Sequence, residues 1–334
     1  MASVRVRCLN PLAELQAQGY PVELFDRERI DRYAAVVYSK LYDDASHAEA
    51  LWLKSLGVRV AFDLCDNHFY DVRGDRAAEA RRERLIRMLT AADQLVASTE
   101  ALADVMRKEL RDGRPISVIG DAVETTIAVP RAPAWRVWVR SLALQRLLTE
   151  IARERSTGGT PLVWFGNHGS PTASAGMQDL LTIRPILEET VVRHKISLTV
   201  ISNSWGTYLR TMRGWRIPTR YLSWQPETFL EALRAHDIAL IPIRVDPFAA
   251  CKTNNRVAMA LYAGVAVVAD AIPSYEPFRD ACYLDDWEGG LETYLSDHAT
   301  RVHHVAEGRR IITREWTNAR VAEQWRDLFD VLRA

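Results

Sequence analysis

The sequence predicts an α/β protein with two doubly wound parallel sheets that face a central cleft. Strand and helix signals alternate from the N-terminus to about residue 119, and a second alternation begins at Leu162. The segment between them, from about Val123 to Gly159, contains Pro130 and Pro133 and interrupts the rhythm. Because ligands of open α/β sheets bind at the carboxyl ends of the strands, this arrangement predicts a site between the two sheets.

The first alternation opens on a helical segment, residues 5–18. A doubly wound domain normally begins with a strand and a Gly-rich turn instead. Short apolar runs then predict strands, and longer amphipathic runs predict the crossover helices. The predicted strands are Val22–Phe25, Ala34–Tyr38, Val58–Leu64, Gln94–Ala97 and Ile116–Ile119, and the predicted helices are 45–56, 76–91 and 100–111. We assign residues 1–125 to an N-terminal domain.

The second alternation defines a C-terminal domain over residues 160–315. Residues 126–159 form the predicted interdomain connection, which carries an Arg-rich and Trp-rich helix at about 135–155. We expect a closing helix, residues 316–334, to pack back toward the N-terminal domain. The predicted strands are Leu162–Phe165, Ser197–Ser202, Thr219–Leu222, Ile238–Ile243 and Val265–Ala269, with helices at 176–193, 226–235 and after Lys252.

The composition excludes several classes of function. Lys plus Arg and Asp plus Glu both count 43 in 334 residues, so neither the net charge nor a recognisable module indicates nucleic-acid binding. No run approaches the roughly 20 apolar residues of a membrane span, and no signal peptide is evident, which predicts a cytoplasmic protein. Peripheral membrane contact through Arg and Trp side chains stays open. The four cysteines are far apart, which favours reduced thiols and no metal or cofactor site.

The segment from Lys252 to Asp270 has the features of an anion-binding helix start. Asn254 or Asn255 can cap the helix, and its free N–H groups would face an anion with the charges of Lys252 and Arg256 beside them. The alternative is an ordinary amphipathic helix with solvated cations.

Two polar loops follow predicted strands. In Gly166-Asn167-His168-Gly169 the two glycines would let the backbone approach a phosphate closely, and a plain Gly-rich turn is the alternative. After the strand that ends at Leu64, Asp66 and His68 could orient a hydroxyl group and accept its proton. A loop of side chains that only bond to one another explains the same residues equally well. We assign the other histidines to surface or capping positions: His47, His194, His236, His298, His303 and His304.

Several strings of the sequence, in this order and spacing, resemble the GT-B glycosyltransferases, particularly the large nucleotide-sugar-dependent family four (glycosyl transferases group 1). The resemblance covers nearly the whole chain and implies two Rossmann-like domains, with the acceptor side on residues 1–125 and the nucleotide sugar bound mainly by residues 160–315. It is carried by Asp-Gln-Leu-Val-Ala-Ser-Thr-Glu100, Ser-Val-Ile-Gly-Asp-Ala-Val-Glu124, Leu-Val-Trp-Phe-Gly-Asn-His-Gly169, His-Asp-Ile-Ala-Leu-Ile-Pro-Ile243, the Lys252–Asp270 segment, and Trp316 and Trp325 in the closing helix.

The resemblance implies a glycosyltransferase that moves a sugar from a nucleoside diphosphate donor, such as a UDP-sugar, to a hydroxyl acceptor. The acceptor would be a glycan, a lipid-linked molecule or a small molecule. Asp66 and His68 match the acceptor side and are the candidate catalytic residues. The residues that match the donor side are Gly166, Asn167, His168, Gly169, Trp224, Lys252, Asn255 and Arg256. Trp224 falls where the family places the nucleotide base, and a core position is the alternative.

The chain departs from the family at several of these positions. Cys251 and Met259 stand where retaining members usually carry two glutamates, and neither side chain can replace a carboxylate. Asn167 and Ala175 stand where the family often has basic residues. Arg5 and Arg7 would point their charges at the cleft from the N-terminal helix, or else be solvated, and Arg5 is the candidate for contact with donor phosphate or an anionic acceptor.

These departures leave three functions open. The leading one is metal-independent glycosyl transfer, since Asp-Asp pairs occur only at 43–44 and 285–286, in loops predicted to be exposed. A non-catalytic GT-B-like partner or scaffold protein is the second. Another sugar-nucleotide chemistry on the same fold, such as that of an epimerase or a hydrolase, is the third.

Overall fold

The computed structural model describes residues 2–125, 133–169 and 176–333 of the chain. Pro130 and Ala175, which the sequence analysis singled out, lie outside these residues. The helices are α1 (Ala2–Val4), α2 (Asn10–Ala17), α3 (Asp44–Ser55), α4 (Arg76–Ala91), α5 (Glu100–Leu110), α6 (Ala134–Ser156), α7 (Leu180–Arg193), α8 (Trp205–Thr211), α9 (Phe229–Arg234), α10 (Asn255–Ala263), α11 (Trp287–Ser296), α12 (His298–Glu315) and α13 (Asn318–Arg333).

The strands form two parallel sheets, which confirms the predicted α/β fold class. The first sheet has the order β1-β2-β3-β4 and the second has the order β10-β9-β8-β5-β6-β7. The strands are β1 (Ala35–Ser39), β2 (Arg59–Leu64), β3 (Gln94–Ala97), β4 (Ile116–Val118), β5 (Thr160–Phe165), β6 (Ile196–Ser202), β7 (Thr219–Ser223), β8 (Ile238–Ile241), β9 (Ala266–Ala269) and β10 (Tyr283–Leu284). Each strand pairs in parallel with its neighbours, as crossover helices require.

Two local predictions differ from the structure. Residues 20–26 are irregular, so the predicted strand Val22–Phe25 is wrong. Pro21 has no N–H to donate, and Leu24, at 62% exposure, lacks the partner surface that an apolar strand residue needs. The short helix α8 escaped prediction because its seven residues are too few for a clear helical period.

The N-terminus folds as α1, a π-helical turn over Arg5–Leu9, and α2. Helix α13 packs on α2 and on β1. Leu15, Ala61, Val96 and Trp325 belong to the shared apolar cluster, so the last helix of the chain covers one face of the first sheet. In the described residues no helix is both long enough and apolar enough to cross a bilayer.

Candidate functional site

The segment that follows β8 crosses from the second sheet to the first. The side-chain amide of Asn67 donates to the carbonyl oxygen of Pro247 (2.8 Å), and the hydroxyl of Thr99 donates to the carbonyl oxygen of Cys251 (3.1 Å). Asn67 and Thr99 follow the carboxyl ends of β2 and β3. The carboxyl ends of the two sheets are therefore in contact through this segment.

Asp66 is the centre of a group of charges at this contact. Its carboxylate accepts hydrogen bonds from the ammonium groups of Lys40 and Lys252, and the Lys252 Nζ to Asp66 Oδ1 distance is 2.5 Å. Burial alone would raise the pKa of Asp66, but the charges of Lys252 and Lys40 outweigh it and lower the pKa to about 2. The structure thus joins a predicted acceptor-side residue to a predicted donor-side residue.

His68 lies beside this group as a neutral imidazole. Its Nδ1 atom and the hydroxyl of Tyr42 are 2.8 Å apart. Burial, together with the charge of Lys40, lowers the pKa of His68 to about 4. A neutral imidazole can accept a proton or donate a hydrogen bond at neutral pH.

A second group of polar side chains centres on Asp121. Its Oδ2 atom accepts hydrogen bonds from the hydroxyl of Thr253 (2.9 Å) and the amide of Asn255 (2.6 Å). Its Oδ1 atom is 3.2 Å from the guanidinium of Arg7, which also pairs with Asp63. Asn255, predicted as a donor-binding residue, therefore uses its side chain to connect the two sheets.

The start of α10 is left without a side-chain cap. Asn254 is the N-cap residue, but its side chain makes no capping hydrogen bond, and the side chain of Asn255 is turned to Asp121. The expectation that either asparagine caps the helix is wrong, because Asp121 competes for Asn255 and Asn254 is buried. The positive end of the helix is consequently free of a polar side chain from its own cap.

Arg256, in the first turn of α10, is half-buried and lacks hydrogen-bond partners for part of its guanidinium. The Nε and Nη2 atoms are inaccessible to solvent and donate to no group among the described residues. The guanidinium carbon lies 5.2 Å from the centroid of the Trp164 ring and 5.7 Å from that of Phe165. Burial lowers the pKa of Arg256, and the ionisable groups of Tyr275 and Asp179 oppose this. An unpaired N–H group in such a place costs free energy, so the site favours an anion.

The Gly166–Gly169 loop passes directly beside Arg256. A Cβ atom on Gly166 would lie 3.3 Å from the Trp164 ring and 3.7 Å from the guanidinium carbon of Arg256. The hydroxyl of Ser202 donates to the carbonyl oxygen of Gly166 (2.8 Å) and fixes this close approach. The predicted phosphate loop and the predicted phosphate helix therefore meet at Gly166.

The rest of this loop is held by local hydrogen bonds. Asn167 accepts from the N–H of Gly169 (3.2 Å), and the Nδ1 atom of His168 lies 2.8 Å from the Oδ1 atom of Asn203. A Cβ atom on Gly176 would lie 2.6 Å from the Cα atom of Gly169, so the backbones of these two glycines are in close contact. Asn167 and His168 thus shape the loop through their side chains.

Asp179 contributes a buried carboxylate on the same side of the second sheet. Its Oδ2 atom accepts from the N–H of Gly176 (2.9 Å), and its Oδ1 atom is buried without a hydrogen bond from any described residue. Burial raises its pKa, although the charges of Arg256 and Arg244 act in the opposite direction. Asp179 is therefore a local counter-charge to Arg256.

Arg5 and Trp224 contact each other between the two halves of the chain. The guanidinium carbon of Arg5 is 5.7 Å from the Trp224 ring centroid, and Arg5 makes two hydrogen bonds to Glu124 (2.5 and 2.8 Å). Arg5 is therefore neither solvated nor free, because Glu124 neutralises its charge. Trp224 is partly buried and packs against the apolar core that contains Phe229, with 6.1 Å between the centroids of the two rings.

Cys251 and Met259, which stand where the family usually carries glutamates, are both buried. Cys251 is 2% exposed and belongs to the core of the first sheet, and burial raises its pKa to about 11. Met259 is 7% exposed in the core of the second half. Contact of these two side chains with a donor stays a prediction.

The Asp-Asp pairs serve local structure. Asp43 caps α3 by accepting from the N–H of Ser46 (3.0 Å), and Asp286 caps α11. Groups of three or more His, Cys, Asp or Glu side chains placed to hold a metal ion do not occur in the parts of the chain that the structure describes. His236, expected at a surface or capping position, is 2% exposed, and its Nδ1 atom lies 2.8 Å from the carbonyl oxygen of Ala232 at the end of α9, which agrees with the capping alternative.

Sequence reasoning missed three residues of this region, Lys40, Asp121 and Asp179, whereas Arg7 was expected to point its charge at the cleft beside Arg5. Lys40 comes two positions after the predicted strand Ala34–Tyr38. Its φ of 58° is an uncommon conformation for a residue other than glycine, and such conformations cluster at functional sites. Arg7 and Asp121 are 114 positions apart, and nothing local in the sequence links them.

Comparison of the sequence with family models and with curated protein sequences gives no match. Solved structures do match over most of the chain. TarM is 12% identical, with a TM-score of 0.58, 89% of this chain covered and 54% of TarM covered. Trehalose-6-phosphate synthase from E. coli, with bound UDP-2-fluoro glucose, is 16% identical, with a TM-score of 0.60. The match covers 97% of this chain and 76% of the synthase. The UDP-forming trehalose-phosphate synthase from Burkholderia xenovorans is 14% identical, with a TM-score of 0.58 and coverage of 98% and 77%.

These neighbours have the same arrangement of two sheets, and the chain spans just over half the length of TarM. At such low identity the likeness concerns the fold. The protein therefore has the GT-B glycosyltransferase fold, with two Rossmann-like domains.

Proposed function

We propose that the protein transfers a sugar from a nucleoside diphosphate donor to a hydroxyl acceptor, without a metal ion. One observation carries this proposal: two buried guanidinium nitrogens of Arg256, Nε and Nη2, donate to no described residue at the start of α10, close to the backbone of Gly166. Such a place favours an anion with several oxygen atoms. A neighbour with the same fold binds UDP-2-fluoro glucose, which supports a nucleotide sugar as the donor.

On the donor side, the diphosphate would lie between the Gly166–Gly169 loop and α10. Arg256 and the positive end of α10 supply fixed charge and dipole there, and Asp179 provides a carboxylate near Arg256. Trp224 offers a partly buried ring for the base. Preorganised charges of this kind stabilise a departing diphosphate more as its negative charge grows.

Lys252 connects donor binding with the acceptor side. In the structure its ammonium group is bonded to Asp66, and an incoming diphosphate would compete for it. When Lys252 turns to the diphosphate, Asp66 keeps only Lys40 as a cationic partner, and its pKa rises from about 2 toward the ordinary carboxyl value. Donor binding would therefore make Asp66 a better proton acceptor.

In the transfer step, the acceptor oxygen forms a bond to the anomeric carbon, and the bond from that carbon to the diphosphate oxygen breaks. The acceptor proton passes to Asp66, directly or through His68, or to the leaving diphosphate. His68 suits such a relay because it is neutral and hydrogen-bonded to Tyr42. The contacts of Asp121 and Asn67 across the two halves would help to exclude water.

Metal-independent transfer is supported by the structural roles of the Asp-Asp pairs at 43–44 and 285–286. Asp43 and Asp286 cap helices, and Asp285 accepts from the N–H of Ala271 (2.7 Å). The leaving diphosphate would instead meet Lys252 and Arg256, whose charges perform the same task.

Binding of UDP, GDP and ADP, measured by isothermal titration calorimetry, tests the donor side. We expect saturable binding of at least one of them, weakened at least tenfold by Arg256→Met, which keeps an apolar stem and removes the guanidinium. Arg234→Met, an exposed arginine on α9, is the matched control and should bind as the parent does. Absence of binding by every nucleotide would contradict the proposal.

A non-catalytic partner protein is the second candidate, favoured by the burial of Cys251 and Met259 at the positions of the family's glutamates. Release of UDP from UDP-sugars, measured with and without alkyl glycoside acceptors, separates the two. Acceptor-dependent release supports the transferase. Nucleotide binding without any release favours the partner protein, and release that no acceptor changes indicates hydrolysis.

A further inference from the structure

The outer edge of the first sheet carries unpaired backbone groups. On β1, the carbonyl oxygen of Ala34 accepts from the N–H of Arg59, and the N–H of Lys40 donates to the carbonyl oxygen of Asp63, so even-numbered residues face β2. Because N–H and C=O groups alternate sides along a strand, those of Ala35, Val37 and Ser39 point away from β2. These three residues make no backbone hydrogen bond on that side to any described residue.

A cavity of about 340 Å³ lies along this same edge. Its wall includes all three outward-facing residues of β1, and its other sides come from α2, from α13 and from the irregular residues 20–25. The side chains that line it are mainly apolar: Leu12, Leu15, Val22, Leu24, Phe25 and Phe329. The cavity therefore offers apolar surface and a row of hydrogen-bonding groups together.

Two arginines bring positive charge to the cavity wall. Arg32 and Arg333 line the cavity, and neither pairs with a carboxylate among the described residues; Arg333 contacts the hydroxyl of Tyr20. The carboxylate of Glu23, which also lines the cavity, pairs with Arg29 at 3.0 Å. Asp330 accepts a hydrogen bond from Tyr20 (2.7 Å).

We propose that this edge binds an extended segment of a partner polypeptide, which adds a fifth strand beside β1. The segment would carry apolar side chains at alternate positions and acidic residues at its ends, which Arg32 and Arg333 would attract. An aliphatic ligand fits the apolar walls but leaves the N–H and C=O groups of β1 unpaired, whereas a strand satisfies them.

Residues 20–25 also favour a single strand over a second copy of the protein. They line the cavity together with β1, α2 and α13, and a partner that reaches β1 must pass between these elements, as a single extended segment can. This inference concerns a surface outside the proposed donor site and does not rest on the proposed function.

A fluorescein-labelled peptide, Glu-Val-Thr-Val-Thr-Val-Glu with blocked ends, is a suitable probe for anisotropy titration of the full chain. Two N-methylated versions sharpen the test, one methylated on the valine nitrogens and one on the threonine nitrogens. Successive N–H groups of a strand face opposite edges, so only one version should lose binding, by tenfold or more. Equal binding of both versions would overturn strand addition.

Val37→Pro removes an outward N–H while the hydrogen bonds to β2, which come from even-numbered residues, stay intact. Val37→Ala shortens the same side chain, keeps the N–H, and is the control. We expect Val37→Pro to weaken peptide binding at least tenfold and Val37→Ala to weaken it less than threefold, with the same circular dichroism spectrum for both.

Two results would contradict the proposal. One is unchanged peptide binding by folded Val37→Pro, because a fifth strand needs that N–H. The other is a concentration-dependent dimer of the parent protein, seen by analytical ultracentrifugation, that Val37→Pro abolishes. That result would assign the edge to a second copy of the chain.

Discussion

The ammonium group of Lys252 and the carboxylate of Asp66 form an ion pair, with 2.5 Å between Nζ and Oδ1, that links the two sheets at their carboxyl ends. Both residues are partly buried, so the pair is less screened by solvent than a surface ion pair. A diphosphate donor and Asp66 would compete for the same cation. This relationship predicts opposite effects for substitutions of the two partners.

Replacing Lys252 by Met should weaken binding of the nucleoside diphosphate about tenfold or more, because one charge-assisted hydrogen bond to phosphate is lost. Isothermal titration calorimetry measures this. Lys108→Met, which removes an exposed lysine from α5, should leave the affinity unchanged. Equal affinity of Lys252→Met and the parent would remove Lys252 from the donor site.

Replacing Asp66 by Asn should have the reverse effect on donor affinity. The neutral amide no longer holds Lys252, whose charge is then available to the diphosphate, and we expect binding a few-fold tighter at pH 7. The same variant should transfer sugar much more slowly, since an amide cannot accept a proton. Weaker nucleotide binding by Asp66→Asn would show that the ion pair assists the donor site instead of competing with it.

Replacing Gly166 by Ala should reduce the free energy of nucleotide binding by more than it reduces the free energy of unfolding. The added Cβ would lie 3.3 Å from the Trp164 ring and 3.7 Å from the guanidinium carbon of Arg256, so the neighbours must shift around the anion site. Gly206→Ala is the control, since a Cβ there lies 3.6 Å from a flexible Arg210 atom. Thermal unfolding and nucleotide titration of both variants check this, and parental affinity of Gly166→Ala would contradict it.

The alternation of strand and helix signals was sufficient to predict both parallel sheets and the start of α10, because apolar periodicity reflects burial directly. The prediction of a strand at Val22–Phe25 was wrong because a strand cannot be assigned from its own residues alone. Apolar residues in a short run need a partner strand, and the partner depends on the tertiary fold.

The candidate site was predictable only in part. Arg256 and Gly166 could be assigned because each belongs to a local pattern, a helix start and a Gly-rich turn. The bonds of Asp66 to Lys252 and of Asp121 to Asn255 join residues 186 and 134 positions apart, and depend on how the two sheets meet. Cys251 was a candidate because it stands where the family usually has a glutamate, and its side chain is buried in the core of the first sheet, which the sequence did not indicate.

The low pKa of His68 predicts a pH dependence of stability. Burial and Lys40 lower the pKa of His68 to about 4, whereas histidine in an unfolded chain titrates near pH 6.5. Between these values the unfolded state binds more protons, so the free energy of unfolding falls as the pH decreases from about 6.5 to 4. His68→Gln should remove up to ~3 kcal/mol of this decrease.

Urea unfolding at pH 7 and pH 4.5 measures this difference for the parent and for His68→Gln. The buried His236, with a pKa lowered by burial to about 3, changes stability in the same direction but is present in both proteins. His298→Gln, an exposed histidine at the start of α12, is the control. An identical decrease in the parent and in His68→Gln would mean that His68 is charged in the native state.

Replacing Cys251 by the glutamate that the family usually carries should lower the stability of the protein. Cys251 is 2% exposed within the apolar core of the first sheet, and burial of an unpaired carboxylate costs several kcal/mol. We therefore expect Cys251→Glu to lower the melting temperature well below that of Cys251→Ala, without tighter nucleotide binding or faster transfer. Cys251→Ala controls for the loss of the thiol at the same position. A stable Cys251→Glu variant with increased sugar transfer would mean that this side chain faces the cleft, and that the missing carboxylate limits catalysis.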